Sequence, residues 1–357
     1  MVRAWFSPVV GTYVQDLVGL LRSSLMVACP DVSVVIPVYN GVHHVGAAIE
    51  SCLRQTLTNI EILVVDDGSD DGSAEIVRRY LQDPRVALIQ LGANQGVSTA
   101  RNVALDRAAG TWIATLDADD TMSEDRLERL VGAAEDSGAD LVHDDLYLVY
   151  DGDIVPYSTL NGSTGYVVRP DAAIDLEEMI ESEVGGRSRY RLGLTRPIMR
   201  RAFLDEHKIC YDARLRVGED YLLYLECVLA GAIWLQIPTA HYVYCQRAGS
   251  AVRTAQVPVL EAKLDACNRL LHRSTLGYGQ RRQLLHYRHN LKTMLAYQRV
   301  TEAAKAGHLA TAMFWACRNP WFLARLGSEV RGLVRRRWNY HLRHDAHALD
   351  MLPPPSI

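Results

Sequence analysis

The sequence predicts an α/β fold, a mostly parallel sheet flanked by helices and followed by a helical C-terminal extension. Three observations carry this. Short apolar, β-branched runs alternate with helical patterns from residue 32 to about 150. Four successive strand ends carry polar, glycine-bearing turns, and residues 256 to 310 read mainly as helix.

The runs Val32 to Val38, Ile60 to Val65, Val86 to Gln90 and Trp112 to Leu116 have the length and branching of buried strands. Between them, helical patterns lie at about 42 to 56, 73 to 82, 97 to 109 and 123 to 137. Strands and helices alternating at this spacing form βαβ units with right-handed crossovers and a parallel sheet. In such sheets ligands bind beyond the carboxyl ends of the strands, so the chemistry is sought just after each strand. There the chain reads "PVYNG" (37 to 41), "DDGSDDGS" (66 to 73), "NQGVSTARN" (94 to 102) and "DADD" (117 to 120). Taken singly, each serves as turn or capping chemistry, with Asn40 or Ser73 as caps and Gly68 or Gly72 as turn formers. All four on one sheet edge point to a site.

Regularity falls from about 150 to 250. "YDGDIVPYSTLNGSTGY" is a loop or hairpin region, and "ESEVGGRSRYRLG" suits a loop over a binding site. "PIMRRAFLDEHKI" reads as a helix and "RVGEDYLLYLECVLAGA" as a turn entering a second helix. "IWLQI" and "HYVYCQR" read as two short strands. From Arg318 to Arg343 seven arginines face one acid, Glu329, with Trp321, Leu326, Leu333 and Trp338 interleaved. The domain division expected is 1–30 as an N-terminal extension, 31–250 as the α/β domain and 251–357 as a helical region. Within the α/β domain, two halves are expected, 31–130, which carries all four strand-end turns, and 131–250.

At 357 residues with 48% hydrophobic and 22% charged residues, the chain is an ordinary folded protein with room for a large core. A net charge of -4 offers no global attraction to nucleic acid, and no nucleic-acid fold signature accompanies the arginine-rich end. Seven cysteines, none in a CxxC pair, suggest neither a zinc site nor a disulfide framework and fit reduced thiols in the cytoplasm. Residues 1 to 30 are too interrupted by Asp16 and Arg22 for a spanning helix and lack a secretory core. They read as an amphipathic helix or as a stretch upstream of the true start. No run reaches the ~18 apolar residues of a membrane crossing.

Asp117 and Asp119 stand at i and i+2 at a strand end, so an extended backbone would place both on one face. No basic residue lies near them in sequence. A magnesium or manganese ion held by a carboxylate and by substrate phosphates would meet that charge. The alternative is a solvated acidic turn capping the next helix near Ser123.

The blocks "VSVVIPVYNG", "IEILVVDDGSDDGS", "NQGVSTARN" and "DADD", in this order and spacing, resemble glycosyltransferase family 2, the inverting nucleotide-sugar transferases of the Rossmann-like GT-A fold. The similarity covers about residues 32 to 130 closely and continues more loosely to about 250. It implies that Pro37, Val38 and Tyr39 line the pocket for the nucleotide base. Asp67 would accept a hydrogen bond from uracil, while Asp66 shapes its turn. Arg101 and the Gly96 loop would lie near the nucleotide and its diphosphate. Asp117 would approach the ribose and Asp119 would hold Mn2+ or Mg2+ on the diphosphate, with Asp120 as support. "VGEDYLLYLECVLAGA" resembles the family's "ED" motif, implying Asp220 as catalytic base and Glu219 as its helper. The same carboxylates also have an ordinary reason to open a helix, the dipole. "YCQRAGS" resembles the segment whose arginine, here Arg247, approaches the diphosphate, and a structural arginine is the alternative.

The resemblance therefore implies transfer of a sugar from a nucleotide-diphosphate donor, a UDP-sugar, to a saccharide or lipid-linked saccharide, as in bacterial exopolysaccharide or surface-polysaccharide assembly. Polyprenyl-phosphate sugar synthesis and a silent nucleotide-sugar-binding scaffold are the alternatives. A dinucleotide oxidoreductase would need GxGxxG after the first strand, which "PVYNGVHHVG" does not supply. The expected location is cytoplasmic, and the arginine and tryptophan region is either a peripheral contact at the inner face of the plasma membrane or a helical subdomain whose apolar face docks on the core with its arginines solvated.

Overall fold

The computed structural model describes residues 29–169, 172–183, 190–247 and 256–319. The expectations for residues 1–28, for 184–189 within "ESEVGGRSRYRLG", for 248–250 at the end of "YCQRAGS" and for the segment beyond 319 lie outside the described residues.

β1 (Val32–Val38), β2 (Ile60–Asp66), β3 (Val86–Gln90) and β4 (Trp112–Thr115) are parallel, in the spatial order 3-2-1-4. β1 is buried at every position, as a central strand covered on both faces must be, which is why it reads as an unbroken apolar run. Helices α1 (Val45–Leu53), α2 (Ser73–Arg78) and α3 (Val97–Leu105) make the crossovers, each shorter than the sequence pattern suggests. β4 pairs only with Val32–Val35 of β1, so Pro37, which has no N–H to give, faces the gap where the strand order reverses. That gap is the switch point at which such sheets bind ligands. Gly110 is needed where the chain enters β4, because a Cβ there would come within 2.4 Å of the Ser33 nitrogen.

The second half of the sheet is mixed. After β5 (Thr121–Met122) and α4 (Arg126–Ser137) comes β6 (Leu141–Tyr150), edged by β7 (Ser158–Thr159), and then α5 (Leu160–Thr164) and α6 (Leu176–Glu183). β8 (Ile198–Arg200) lies antiparallel between β4 and β6. α7 (Arg201–His207) and α8 (Glu219–Leu229) lead to β9 (Trp234–Gln246), which is parallel to β6 and carries β5 on its far side. α9 (Gln256–Leu271), α10 (Tyr278–Lys305) and α11 (Leu309–Arg318) follow.

Four expectations are corrected here. Residues 141–150, unassigned from sequence, form β6, because Asp144 is neutralised by Arg126 inside the core and does not break the strand. "IWLQI" and "HYVYCQR" are one strand, β9, whose register with β6 shifts near Asp145 and so absorbs the interruption around Pro238. "PIMRRAFLDEHKI" splits into β8 and α7, since its first apolar residues fill the slot between β4 and β6. α4 starts at Arg126 and not at Ser123, because Thr121 and Met122 pair with β9.

Candidate active site

The loops after β1, β2 and β3 are stitched together by carboxylates and hydroxyls that accept backbone N–H groups. Asn40 adopts a left-handed conformation (φ 51°), and its amide oxygen accepts the Asp70 N–H at 3.1 Å. Asp71 accepts the Val42 N–H at 3.0 Å, and Ser73 accepts that of Gly41 at 2.9 Å. Asp66 accepts the Ser69 N–H at 3.0 Å, closing its own turn. Asp67 is 3% exposed and accepts the N–H groups of Gln95 and Gly96 at 2.7 and 2.8 Å. Its carboxylate thus holds the Gly96 turn (φ 96°), which opens α3. Pro37 and Val38 are buried within β1, while Tyr39 is half exposed at the mouth of the switch point.

α3 faces the "ED" segment. Ser98, Arg101 and Asn102 share one helix face, being three and four residues apart, and all three grip residues 211 to 220. Ser98 donates to the Leu215 carbonyl at 2.7 Å. Asn102 donates to the Tyr211 carbonyl at 2.8 Å and accepts the Tyr211 N–H at 2.9 Å. Arg101, fully buried, donates to Glu219 at 2.8 Å, to Asp220 at 2.9 Å and to Asp117 at 2.7 Å.

The extended geometry expected of the "DADD" block does not persist. β4 ends at Thr115, and the Asp120 N–H bonds the Asp117 carbonyl at 3.0 Å in a turn. The aspartates therefore diverge. Asp117 takes Arg101 and also Arg196 at 2.6 Å, Asp119 takes Arg247 at 2.5 Å, and Asp120 points inward. Asp120 accepts the Tyr242 hydroxyl at 2.6 Å and the Cys245 N–H at 2.8 Å. The basic partners absent from the neighbouring sequence come from three distant segments.

Arg196 carries no motif, and sequence reasoning missed it. Its guanidinium bridges Asp117 and, at 3.5 Å, Asp220, and it donates to the carbonyls of Leu194 and Thr195 at 3.0 and 3.1 Å. Its own carbonyl accepts from Arg126 at 2.5 Å, and Arg126 is paired with Asp144 at 2.9 Å where neither side chain sees solvent. The Arg126 guanidinium also stacks 4.9 Å from the centre of the Tyr242 ring. Lys263 of α9 was missed too. It pairs with Glu183 at 2.7 Å and lies beside Gly218, the residue before Glu219, whose φ of 82° is the left-handed conformation that favours glycine.

Electrostatics separates the acids. Burial pushes the Asp220 carboxyl up to about 6, with Arg101 and Arg196 pulling it back. Burial would raise Asp117 as well, but the same two guanidiniums outweigh it and hold Asp117 well below the usual carboxylate range. Burial and the neighbouring Asp117 push Asp119 up against Arg247, and burial with both aspartates pushes Asp120 up. Five carboxylates (Asp117, Asp119, Asp120, Glu219, Asp220) thus meet three guanidiniums (Arg101, Arg196, Arg247), leaving two negative charges when all are ionised.

A profile described as glycosyl transferase family 2 matches residues 33–184. The succinoglycan biosynthesis protein ExoO of Rhizobium meliloti (strain 1021) is 33% identical over 327 residues, 91% of this chain and 92% of the relative. The chain belongs to glycosyl transferase family 2. Another relative, succinoglycan biosynthesis protein ExoU of the same strain, is 30% identical over 69% of this chain and 71% of its own length. Among solved structures, S. aureus TarS 1-349 in complex with UDP-GlcNAc superposes with a TM-score of 0.57 at 20% identity, covering 81% of this chain and 91% of that one. The mannosyltransferase PcManGT from Pyrobaculum calidifontis in complex with GDP-Man and Mn2+ gives 0.53 at 17% identity, over 93% and 96%. At these identities the structures establish the fold: this family 2 chain has the GT-A architecture, a curled, mostly parallel sheet with flanking and C-terminal helices. Among the described residues no cluster of three metal-ligating side chains occurs, and no helix is long and apolar enough to cross a membrane.

Proposed function

We propose that this glycosyltransferase moves a sugar, with inversion, from a UDP-linked donor to a hydroxyl of a saccharide or lipid-linked saccharide in the assembly of a bacterial exopolysaccharide or surface polysaccharide, on the cytoplasmic side. The observation that carries the proposal is that Asp117 and Asp220, about a hundred residues apart, are gripped by the same two buried guanidiniums at the switch point. The names of the ExoO and ExoU relatives support polysaccharide assembly, and the UDP-GlcNAc complex of TarS supports a UDP donor.

Inversion by direct displacement needs one base on the acceptor hydroxyl and no covalent nucleophile. A carboxyl raised to about 6 is ionised at neutral pH yet basic enough to take that proton, which supports Asp220 in that role. Glu219, sharing the Arg101 Nη1 group with Asp220, orients the pair. Tyr39 covers the uracil, and Asp67 has lone pairs left for its ring N–H beyond its two backbone donors. Asp117 faces the ribose. Arg247 exchanges Asp119 for the diphosphate, whose oxygens suit a guanidinium at least as well.

Asp119 would hold a Mn2+ or Mg2+ ion. The residues fit this: Asp119 is a partly exposed carboxylate whose partner Arg247 is partly exposed too, and one carboxylate together with substrate phosphates is a usual donor set for magnesium-type binding. When bound, the ion would stabilise the charge on the departing diphosphate.

The test is a nucleotide-sugar panel assayed for UDP, GDP and NAD effects on thermal stability, with and without Mn2+, followed by donor hydrolysis. Stabilisation by UDP that requires Mn2+, together with UDP release from one donor, is expected. Metal-independent binding would overturn the role of Asp119, and preference for GDP-sugars would overturn the UDP assignment.

A further inference from the structure

α11 is apolar on both sides. Its inner face, Ala312, Trp315 and Ala316, packs on Val300, Tyr297 and Ala303 of α10. Its outer face presents Leu309 (68% exposed), Ala310, Met313 (68%), Phe314 (53%) and Cys317, and ends at Arg318. A helix docked on one side of a folded protein ordinarily turns polar residues outward, and α11 has no charged residue before Arg318.

The surroundings of this face are cationic. α10 carries six Lys or Arg residues against one acid, Glu302. Over residues 278–318 the sequence holds seven Lys or Arg and one acid, so a chain of net charge -4 is about +6 here and -10 elsewhere. Arg281, Arg282, Lys292 and Lys305 are exposed on α10 itself.

We propose that α10 and α11 dock on an anionic phospholipid bilayer, the outer face of α11 entering the headgroup boundary and the basic residues of α10 with Arg318 meeting lipid phosphates. The inference goes beyond the transferase reading and does not depend on the assignment of Asp220. Charge selects the occupant. A second copy would bring another strongly positive segment against the first, and nucleic acid would leave Leu309, Met313 and Phe314 in water. An anionic bilayer satisfies both the charge and the apolar face. Tyr287 of α10 packs 5.6 Å from Tyr221 of α8, ring centre to ring centre, so a surface held at α11 is fixed to the helix that carries Asp220.

The test uses the full chain in vesicle co-sedimentation with phosphatidylcholine alone and with about one-third phosphatidylglycerol. Binding to the anionic vesicles, at least tenfold weaker on neutral ones and on raising salt, is expected. The triple variant Leu309→Ser, Met313→Ser, Phe314→Ser should lower vesicle binding at least tenfold while keeping solution donor hydrolysis. No binding to anionic vesicles would overturn the proposal. So would vesicle binding untouched by the triple variant, a concentration-dependent dimer that the variant dissolves, or tighter binding to RNA than to vesicles.

Discussion

The loops after β1 to β3 and the cluster formed by "DADD" and "ED" are both rich in aspartate, yet they satisfy it differently. In the first region Asp66, Asp67 and Asp71 accept backbone N–H groups of their own or neighbouring loops. In the second, Asp117, Asp119, Glu219 and Asp220 take guanidiniums from Arg101, Arg196 and Arg247. A backbone amide within a fixed turn cannot leave its carboxylate, so the first region is a frame. A side-chain cation can trade one anion for another, so the second region is where charge rearranges when substrate arrives.

The sharpest break between the two comes from Asp220→Asn. Proton abstraction by a positioned base contributes about 10²- to 10⁴-fold, and that is the expected fall in transfer rate, followed by UDP release. UDP affinity, measured by calorimetry, should change little because the frame is untouched. Loss of UDP binding in step with activity would show that the regions are not separable.

Asp144→Ala probes what stands behind the cluster. It leaves Arg126 charged in the core without its carboxylate, and breaking a buried pair costs about 3–5 kcal/mol. Chemical denaturation should show that loss. A cost under about 1 kcal/mol would mean that Arg126 does not anchor the Arg196 carbonyl as the geometry requires.

The same contrast explains what the sequence disclosed. The frame was legible because its parts are local: four strands, each followed within a few residues by its own turn chemistry. The strand bounds of β1 and β3 match the apolar runs, and "ED" opens α8 as expected. Arg196 was not legible, because a buried arginine is told from an exposed one only by the carboxylates that surround it, and those lie 79 and 24 residues away in sequence. β6 was hidden for the same reason: Asp144 looks like a strand breaker until Arg126 is placed beside it. The metal argument drawn from lone aspartates likewise changed, since arginines supply part of the countercharge.

Asn102→Ala tests the joint between the regions. It removes both hydrogen bonds to Tyr211, a cost of about 2 kcal/mol at roughly 1 kcal/mol each, and loosens the segment that leads to Glu219 and Asp220. Turnover should fall while KM for the donor holds, and an unchanged kcat would remove α3 from the positioning of the base.

The smallest effect is also the most specific, because the two aspartates that share Arg101 and Arg196 respond to pH with opposite signs. Asp220, with its folded pKa raised to about 6 above an ordinary value of 3.8, binds a proton more readily folded than unfolded, so its contribution to stability grows as pH falls through 6. Asp117, held low by both arginines, contributes stability above the ordinary value that is lost on acidification. With Asp220 as the proposed base, activity should follow it alone: at pH 5 only about one-tenth of a carboxyl with a pKa of about 6 is ionised, and transfer should stand at roughly a tenth of its plateau. A kcat/KM profile recorded beside thermal melts separates the two. Between pH 6 and 5 the rate should fall while the fold holds, whereas a rate that declines only where melting declines would trace the limb to the shared ion pairs and not to a proton on the base.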